Sequence, residues 1–454
     1  MSRRIAEWRP NDEAFWEQTG KRIAKRNLVF SIFAEFLGFS VWQLWSVVSV
    51  KLGDAGFDFS TSQLFWLISI PGLVGATLRF PYTFAPARYG GRNWTIVSAL
   101  LLIIPCVLLA YMVSTPGTPY WAFVVAAATA GFGGGNFASS MANISYFYPD
   151  SKKGFALGLN AAGGNIGVAV VQKVVPLVIG AAAIGLVGTS ALANASLVWL
   201  PLIVASAYFA WRYMDNLDCA RSTLRDQAAA VKKKHTWVIT WLYVGAFGSF
   251  IGYSAALPLL IKTQFTGVNP LTYAFLGPLV GSISRPFGGW ISDRLGGARV
   301  TLTVFALMSV TAPWLVFSIH HKAFGVFLAV FLTLFVLSGM ANGSVYRMVP
   351  TIFRIEALRE GAEKGEAEEV SLVAARRLAA AAIGISSAVA AYGGFVIPQA
   401  YRASLAGTGA IDTAFYCFIL FYGTCMAATW WYYVRRRSFG TKFVPTPVAE
   451  AGVA

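Results

Sequence analysis

The chain has 454 residues, of which 56% are apolar, 15% aromatic and only 12% charged, with a formal net charge of +16. Soluble domains carry roughly a quarter charged residues, so this composition excludes a string of water-soluble domains and points to a polytopic protein partnered with a lipid bilayer. A basic excess would suggest nucleic acid in a soluble chain, but in a membrane protein it is first read as loop charge. Residues 1–27 are polar and basic, without the apolar run and small-residue cleavage site of a signal peptide. Cys106, Cys219, Cys417 and Cys425 show no C-x-x-C spacing and most lie in apolar segments, so neither a disulfide framework, a metal site nor a cofactor is expected.

A membrane helix needs about 20 mostly apolar residues. Twelve runs meet that criterion: 28–50, 63–84, 94–114, 119–143, 154–179, 196–214, 237–258, 271–290, 300–319, 323–345, 376–398 and 411–434. Each is too long for a barrel strand and none alternates, so the fold is predicted to be all-α with twelve transmembrane helices. The basic stretch after the sixth run, which holds Lys232, Lys233 and Lys234, marks the midpoint. The expected organisation is an N-terminal segment (1–27), a six-helix bundle (28–214), a linker (215–236), a second six-helix bundle (237–434) and a tail (435–454). The loop between runs ten and eleven, with Glu356, Glu360, Glu363, Glu366, Glu368 and Glu369 among Arg359 and Lys364, reads as one amphipathic surface helix.

Of the 36 Lys and Arg residues, 29 lie in or beside the termini and the even-numbered loops, four in the odd-numbered loops and three inside spans. Cytoplasmic loops carry the basic excess, so both termini are expected in the cytoplasm and the +16 charge reflects topology, with no nucleic-acid partner. The location implied is the plasma (inner) membrane.

The two halves repeat. Arg79-Phe-Pro-Tyr-Thr-Phe-Ala-Pro-Ala-Arg88-Tyr-Gly90-Gly91 overlies Arg285-Pro-Phe-Gly-Gly-Trp-Ile-Ser-Asp293-Arg294-Leu-Gly296-Gly297 at an offset of 206, and Gly133 and Asn136 then fall on Gly339 and Asn342. Gly163-Gly164 matches Gly393-Gly394 at an offset of 230. Six plus six helices in repeated halves is a transporter architecture, with substrate near the midplane between the bundles.

Four ionisable side chains lie within the spans: Glu35, Arg79, Lys173 and Arg285. A charge at the bilayer centre costs at least about 2.5–3.5 kcal/mol, so each is a functional candidate. Lys173, about 20 residues into its span, can snorkel to the surface. Arg79 and Arg285 are too deep for that and occupy matching repeat positions. Two guanidiniums converging on a pseudo-two-fold axis need more negative charge than Glu35 supplies, which implies an anionic substrate. The planar fork of arginine matches planar oxyanions with paired hydrogen bonds. The alternative is a pair of interhelical struts bonded to backbone carbonyls.

Two Gly-rich stretches let helices approach closely. One carries Gly154, Gly158, Gly163, Gly164 and Gly167 with Asn165 in its middle; the other runs from Gly384 through Gly393 and Gly394 to Phe395. Ordinary small-residue packing would explain either alone. A buried amide at Asn165 needs a partner and is a candidate orienting donor to an oxyanion.

The run Gly289-x-x-x-Asp293-Arg294-x-Gly296-Gly297-Ala298-Arg299 resembles the loop signature of the major facilitator superfamily, in which Asp293 and Arg294 would serve as a conformational motif; the first-half copy, Ala87-Arg88-Tyr89-Gly90-Gly91-Arg92, lacks the acid. The Gly-rich stretches, together with Gly134-Gly135-Asn136-Phe137-Ala138-Ser139-Ser140-Met141-Ala142-Asn143-Ile144-Ser145, Trp241-Leu-Tyr243 and Phe247-Gly-Ser-Phe-Ile-Gly252, are similar to the paired signatures of the nitrate/nitrite porter family. The resemblance runs from about Arg26 to Trp431. It implies an anion clamped by Arg79 and Arg285, flanked by Phe137, Tyr243 and Phe247, with Asn165 as the helix-five amide. Tyr243 and Phe247, four residues apart, share a helix face. Two departures stand out: Glu35 lies where an apolar residue is expected, and Arg347 where a neutral one is usual.

The expected function is nitrate/nitrite antiport by rocker-switch alternating access, carried out by a monomer. The chain carries no metal-ligand cluster and no evident nucleophile–base pair, so an enzyme is not expected and there are no catalytic residues. Nitrate/proton symport with Glu35 as the coupling group is the first alternative. A non-transporting anion sensor is a remote one.

Overall fold

Backbone groups in lipid have no water to bond, and a helix satisfies them within one segment. Each apolar run accordingly becomes a helical rod in the computed structural model, which describes residues 3–183, 191–219 and 224–435. The first-half rods are α1 (Lys21–Trp42, resuming as Leu44–Lys51), α2 (Thr61–Tyr89), α3 (Gly91–Leu101, resuming as Ile103–Ser114) and α4 (Tyr120–Phe147). They continue with α5 (Asp150–Ala183) and α6 (Leu200–Tyr213, preceded by the turn Asn194–Leu197). The second half begins with α7 (Lys234–Tyr243, a π turn Val244–Gly248, then Ser249–Gln264), α8 (Leu276–Leu295, preceded by Pro270–Tyr273) and α9 (Gly297–His320). It ends with α10 (Phe324–Lys364), α11 (Glu368–Ala391, resuming as Gly393–Thr408) and α12 (Asp412–Thr429, ending in the π turn Trp430–Val434). The tail expected over 435–454 lies, beyond Arg435, outside the described residues, as do 220–223 of the linker.

Among the described residues, ten rods are long and apolar enough to cross a membrane. The remaining two, α4 and α8, are 28 and 20 residues long, so composition and not length sets them apart. Their polar residues face inward: Asn136, Ser139, Ser140 and Asn143 on α4, and Ser282, Ser284 and Arg285 on α8, are all buried. The opposite faces of both rods are exposed, with Trp121 and Val125 on α4 and Ile283, Phe287 and Trp290 on α8. The most extensive packings in the molecule are α2 on α4 and α8 on α10, which are repeat-equivalent.

The repeat extends to backbone geometry. Gly90 and Gly296, matched at the offset of 206, end α2 and α8 with φ +87°, ψ 139° and φ +90°, ψ 127°. Only glycine adopts that region readily. Carried to the first helix of each half, the same offset places Trp42, where α1 breaks, on Gly248, where the π turn of α7 ends.

The amino-terminal segment folds back on the first bundle. Arg4–Ile5 pairs in parallel with Asn216–Leu217, and Arg4 bridges Asp218 at 2.6 Å. Trp8 packs edge-on against Phe147 at the end of α4, and Trp16 against Tyr148. Arg26 and Asn27 at the start of α1 both bond Asp215 beyond α6, at 2.6 and 2.9 Å.

The loop between α10 and α11 differs from the expected single surface helix. α10 runs unbroken for 41 residues to Lys364, and Gly365 (φ 69°) closes it in a left-handed cap before α11 starts at Glu368. No residue between Phe353 and Lys364 interrupts a helix strongly, so the charged sequence extends the span instead of lying apart. Lys233 of the linker pairs with Glu356 at 3.6 Å and with Glu360, tying this extension to the start of α7.

Among the described residues, the hydrogen bonds joining the bundles lie at the level of Arg79 or on the side away from the termini. Lys262 donates to the Val50 carbonyl at 2.5 Å, Gln172 to the Ser254 carbonyl at 2.7 Å and Gln399 to Ser69 at 2.6 Å. The backbones of α2 and α11 touch at Gly72 and Gly394, where a Cβ on Gly72 would lie 2.5 Å from the Gly394 carbonyl carbon.

Candidate functional site

Arg79 lies in the second half of α2, held there by what the neighbouring helices leave out. Gly134 on α4 lacks a side chain, so the α4 backbone comes close enough for Arg79 Nε to donate to the Gly134 carbonyl at 3.0 Å. Arg79 Nη1 donates at 2.8 Å to the Ser387 carbonyl on α11, across the bundle interface. Three rings surround the guanidinium: Phe137 at 4.6 Å, Phe247 at 5.2 Å and Trp42 at 5.4 Å from its carbon to the ring centres. They come from α4, α7 and α1, so both bundles contribute. Cation–π contacts of this kind are worth about 2 kcal/mol when desolvated.

Arg285 reaches the same place from α8. Its Nη2 donates to the Tyr243 hydroxyl at 3.4 Å, a long bond, and its guanidinium carbon lies 5.5 Å from the Tyr346 ring centre. Tyr243 stacks on Phe247 (5.7 Å, 12°), and Phe247 stacks on Phe137 (6.2 Å, 24°). One aromatic stack therefore links the two arginines, and each feels the other's charge. Both are buried. Arg79 Nη2 and Arg285 Nη1 have no hydrogen-bond partner. A buried charged donor without an acceptor is costly, so the arrangement calls for oxygen acceptors from a bound molecule. It is part strut, since Arg79 bonds two carbonyls, and part open fork.

Glu35 lies on α1, fully buried, within electrostatic reach of both arginines. Its Oε2 accepts from Asn160 Nδ2 at 2.7 Å, and the same nitrogen donates to the Ser140 hydroxyl at 2.6 Å, which sets that hydroxyl beside the carboxylate. Gly164 makes room for it: a Cβ there would meet Oε1 at 2.5 Å. Asn165 is buried and neither atom of its amide has a partner.

The glycines divide into two groups. Gly163 packs on Ile32, Gly164 on Glu35 and Gly167 on the Phe36 carbonyl, fitting α5 against α1; Gly393 packs equivalently on Gly248 of α7, and Gly394 faces Gly72. Gly384 accepts from the Ser387 hydroxyl at 2.9 Å. Gly154 and Gly158 meet nothing within 4 Å, so close approach does not account for them in this conformation. Asp293 pairs with Arg347 of α10 at 2.5 Å, and Arg294 lies 3.8 Å from the Trp290 ring centre, so both contacts stay within one bundle. Lys173 is exposed beside the Phe275 ring, at 4.6 Å.

Sequence reasoning missed Trp42, Tyr346, Ser387 and Asn160. Asn160 was detectable as a second amide in the α5 Gly-rich stretch, one helical turn before Gly164. The others enter through contacts between distant segments that no local pattern records.

A family profile described as Major Facilitator Superfamily matches residues 28–358. The chain is 43% identical over 446 residues to "Nitrate/nitrite transporter NarU" of Escherichia coli, spanning 95% of this chain and 96% of that one. It is 37% identical over 455 residues to "Probable nitrate/nitrite antiporter NarK2" of Thermus thermophilus, spanning 95% and 97%. Among solved structures, the inward-open xylose transporter XylE from E. coli superposes with a TM-score of 0.64 at 14% identity over 89% of this chain and 96% of that one, a likeness of fold.

Proposed function

Because this chain belongs to the nitrate/nitrite porter family of the Major Facilitator Superfamily, we propose that it carries nitrate and nitrite across the bacterial inner membrane, exchanging one for the other. The observation that carries this reading is the pair of buried guanidiniums, one from each half of the chain, each keeping a nitrogen without an acceptor. The names of the two relatives, a nitrate/nitrite transporter and a nitrate/nitrite antiporter, support the cargo. Both arginines come from one chain, so the transporting unit is a monomer. The lysine and arginine asymmetry of the loops supports cytoplasmic termini.

The mechanism follows from charge. Empty, Arg79 and Arg285 repel each other, and the bundles resist closing around them. A planar monovalent oxyanion accepts from both forks, screens the repulsion and lies flat against Phe137, Phe247 and Tyr243. With the anion in place the bundles rock about it. The contacts beyond Arg79, at Gln172, Lys262 and Gln399, seal the periplasmic side in this conformation, and the anion leaves toward the cytoplasm. Either anion permits the movement and the empty carrier stalls, so exchange is favoured over net flow. Sulfate, tetrahedral and doubly charged, fits neither the stack nor the charge balance.

Proteoliposomes test this. Vesicles loaded with nitrite should accumulate external nitrate, and empty vesicles should not. Arg79→Lys and Arg285→Lys keep the charge and lose the fork, and each should reduce exchange at least about 100-fold. Near-normal exchange by either variant, or equal uptake into empty vesicles, would overturn the reading.

A further inference from the structure

Exchange on two arginines leaves Glu35 without a task. A carboxylate retained only as a salt-bridge partner would bond a guanidinium, yet the direct partner of Glu35 is the Asn160 amide, which it shares with the Ser140 hydroxyl. Its Oε1 is free of hydrogen bonds, and the absence of a side chain at Gly164 keeps the space beside that oxygen. The site is built around the acid from three helices: α1, α4 and α5.

A polar file leads to it from the cytoplasmic end. Asn27, Ser31 and Glu35 are spaced by four along α1, so they share one face, and all three are buried. The rise from Asn27 to Glu35 is about 12 Å. At the lower end, Asn27 Nδ2 bonds Asp215, which also pairs with the part-exposed Arg26. In the middle, the hydroxyls of Ser31 and Ser140 lie 2.9 Å apart, with either able to donate. Ser140 and the Glu35 carboxylate then share one donor, Asn160 Nδ2, at 2.6 and 2.7 Å, which places hydroxyl and acid side by side. Two hydroxyls in series next to an acid can pass a proton, since each both donates and accepts.

We propose that Glu35 is a proton-binding site linked to the anion site, filled through the Asn27–Ser31–Ser140 file from the cytoplasmic side. The inference rests on the exchange reading of Arg79 and Arg285 and deepens it. At a pH high enough to ionise the carboxylate in the empty carrier, it offsets part of the arginine charge. An anion docking on the same arginines brings a second negative charge into their field, and the carboxylate then takes up one proton from water to become the neutral acid. When the anion leaves, the proton returns. The groups with charge facing Glu35 are Arg79 from α2, Arg285 from α8 and the Tyr346 phenol from α10; α4 and α5 contribute Ser140 and Asn160, which do not titrate. Linkage is reciprocal: if the anion favours the proton, the proton favours the anion to the same degree.

The test uses the purified full-length protein in detergent and weak buffer, titrated with sodium nitrate while a pH dye reports protons and bound nitrate is measured separately. Wild-type protein should take up as much as one proton per nitrate, and its nitrate affinity should rise as pH falls, by at most about tenfold per pH unit. Glu35→Gln should bind nitrate with no proton uptake and an affinity independent of pH. Ser140→Ala keeps the acid but removes a hydroxyl dipole from beside its ionised form, and should move the pH of half-maximal uptake upward. Proton uptake unchanged in Glu35→Gln, or a wild-type protein that binds nitrate with no uptake at any pH, overturns the linkage and leaves the clamp standing. Should Glu35→Gln fail to fold, an unmoved midpoint in Ser140→Ala overturns it. Wild-type protein that binds no nitrate overturns the clamp itself, and the linkage with it.

Discussion

Trp42 shows how much of this site depends on one residue that makes no ionic contact. Its indole Nε1 donates to the Pro71 carbonyl at 2.7 Å, and its ring fills space left by Gly75 and Gly134, where added Cβ atoms would lie 2.6 and 2.7 Å from it. So seated, its ring lies 5.4 Å from the carbon of the Arg79 guanidinium, which donates to the Ser387 carbonyl of α11. Trp42→Phe retains a ring and loses only the bond to Pro71, and should change half-saturating nitrate in counterflow by less than about threefold. Trp42→Ala opens a cavity and lets the guanidinium turn; half-saturating nitrate should rise at least about tenfold while maximal exchange falls less. An equal loss in both variants would mean that the hydrogen bond and not the ring matters. The two arginines were legible in the sequence because charge is rare in a span and theirs occupy matching positions. Trp42 was not, since an indole in an apolar run is indistinguishable from core until its neighbours from α2 and α4 are known.

The helices themselves were read well at their existence and poorly at their interruptions. Apolar length alone locates all twelve rods, because lipid imposes one solution on the backbone. The break of α1 at Gln43 and the π turn of α7 carry no proline or charge to announce them. Glycine content was equally ambiguous. Gly164 is filled by Glu35, whereas Gly158, six residues earlier, faces open space. Thermal unfolding in detergent should separate them: Gly164→Ala should be destabilised by about 1–3 kcal/mol, the usual cost of overpacking, and Gly158→Ala should match the parent. Comparable losses at both sites would show that Gly158 is packed in the resting protein. Such a result would revise the helix-five contacts described above.

Across the whole molecule, the repeat in sequence became a repeat in backbone, down to the paired left-handed glycines at Gly90 and Gly296. The repeat did not disclose how the halves meet, because those contacts join residues with no sequence relation, such as Gln172 with Ser254 and Lys262 with Val50. They close the side away from the termini, and removing them should unlatch it. In a background free of native cysteines, Ser49→Cys is buried and should resist a membrane-impermeant maleimide applied from outside. Adding Gln172→Ala and Lys262→Ala should speed its labelling several-fold. Unchanged labelling would place the seal elsewhere, in the glycine contact of α2 with α11.

The short pairing of Arg4–Ile5 with Asn216–Leu217 bears on the order of synthesis. The ribosome releases the first of these strands at the outset and the second only after six helices have been threaded into the bilayer. The opening strand must wait, unpaired, until the last member of its bundle arrives, whereas the ring partners of Trp8 and Trp16, Phe147 and Tyr148, are present once α4 is made. A chain stalled before α4 therefore carries two unburied tryptophans, Trp8 and Trp16, that the completed fold covers.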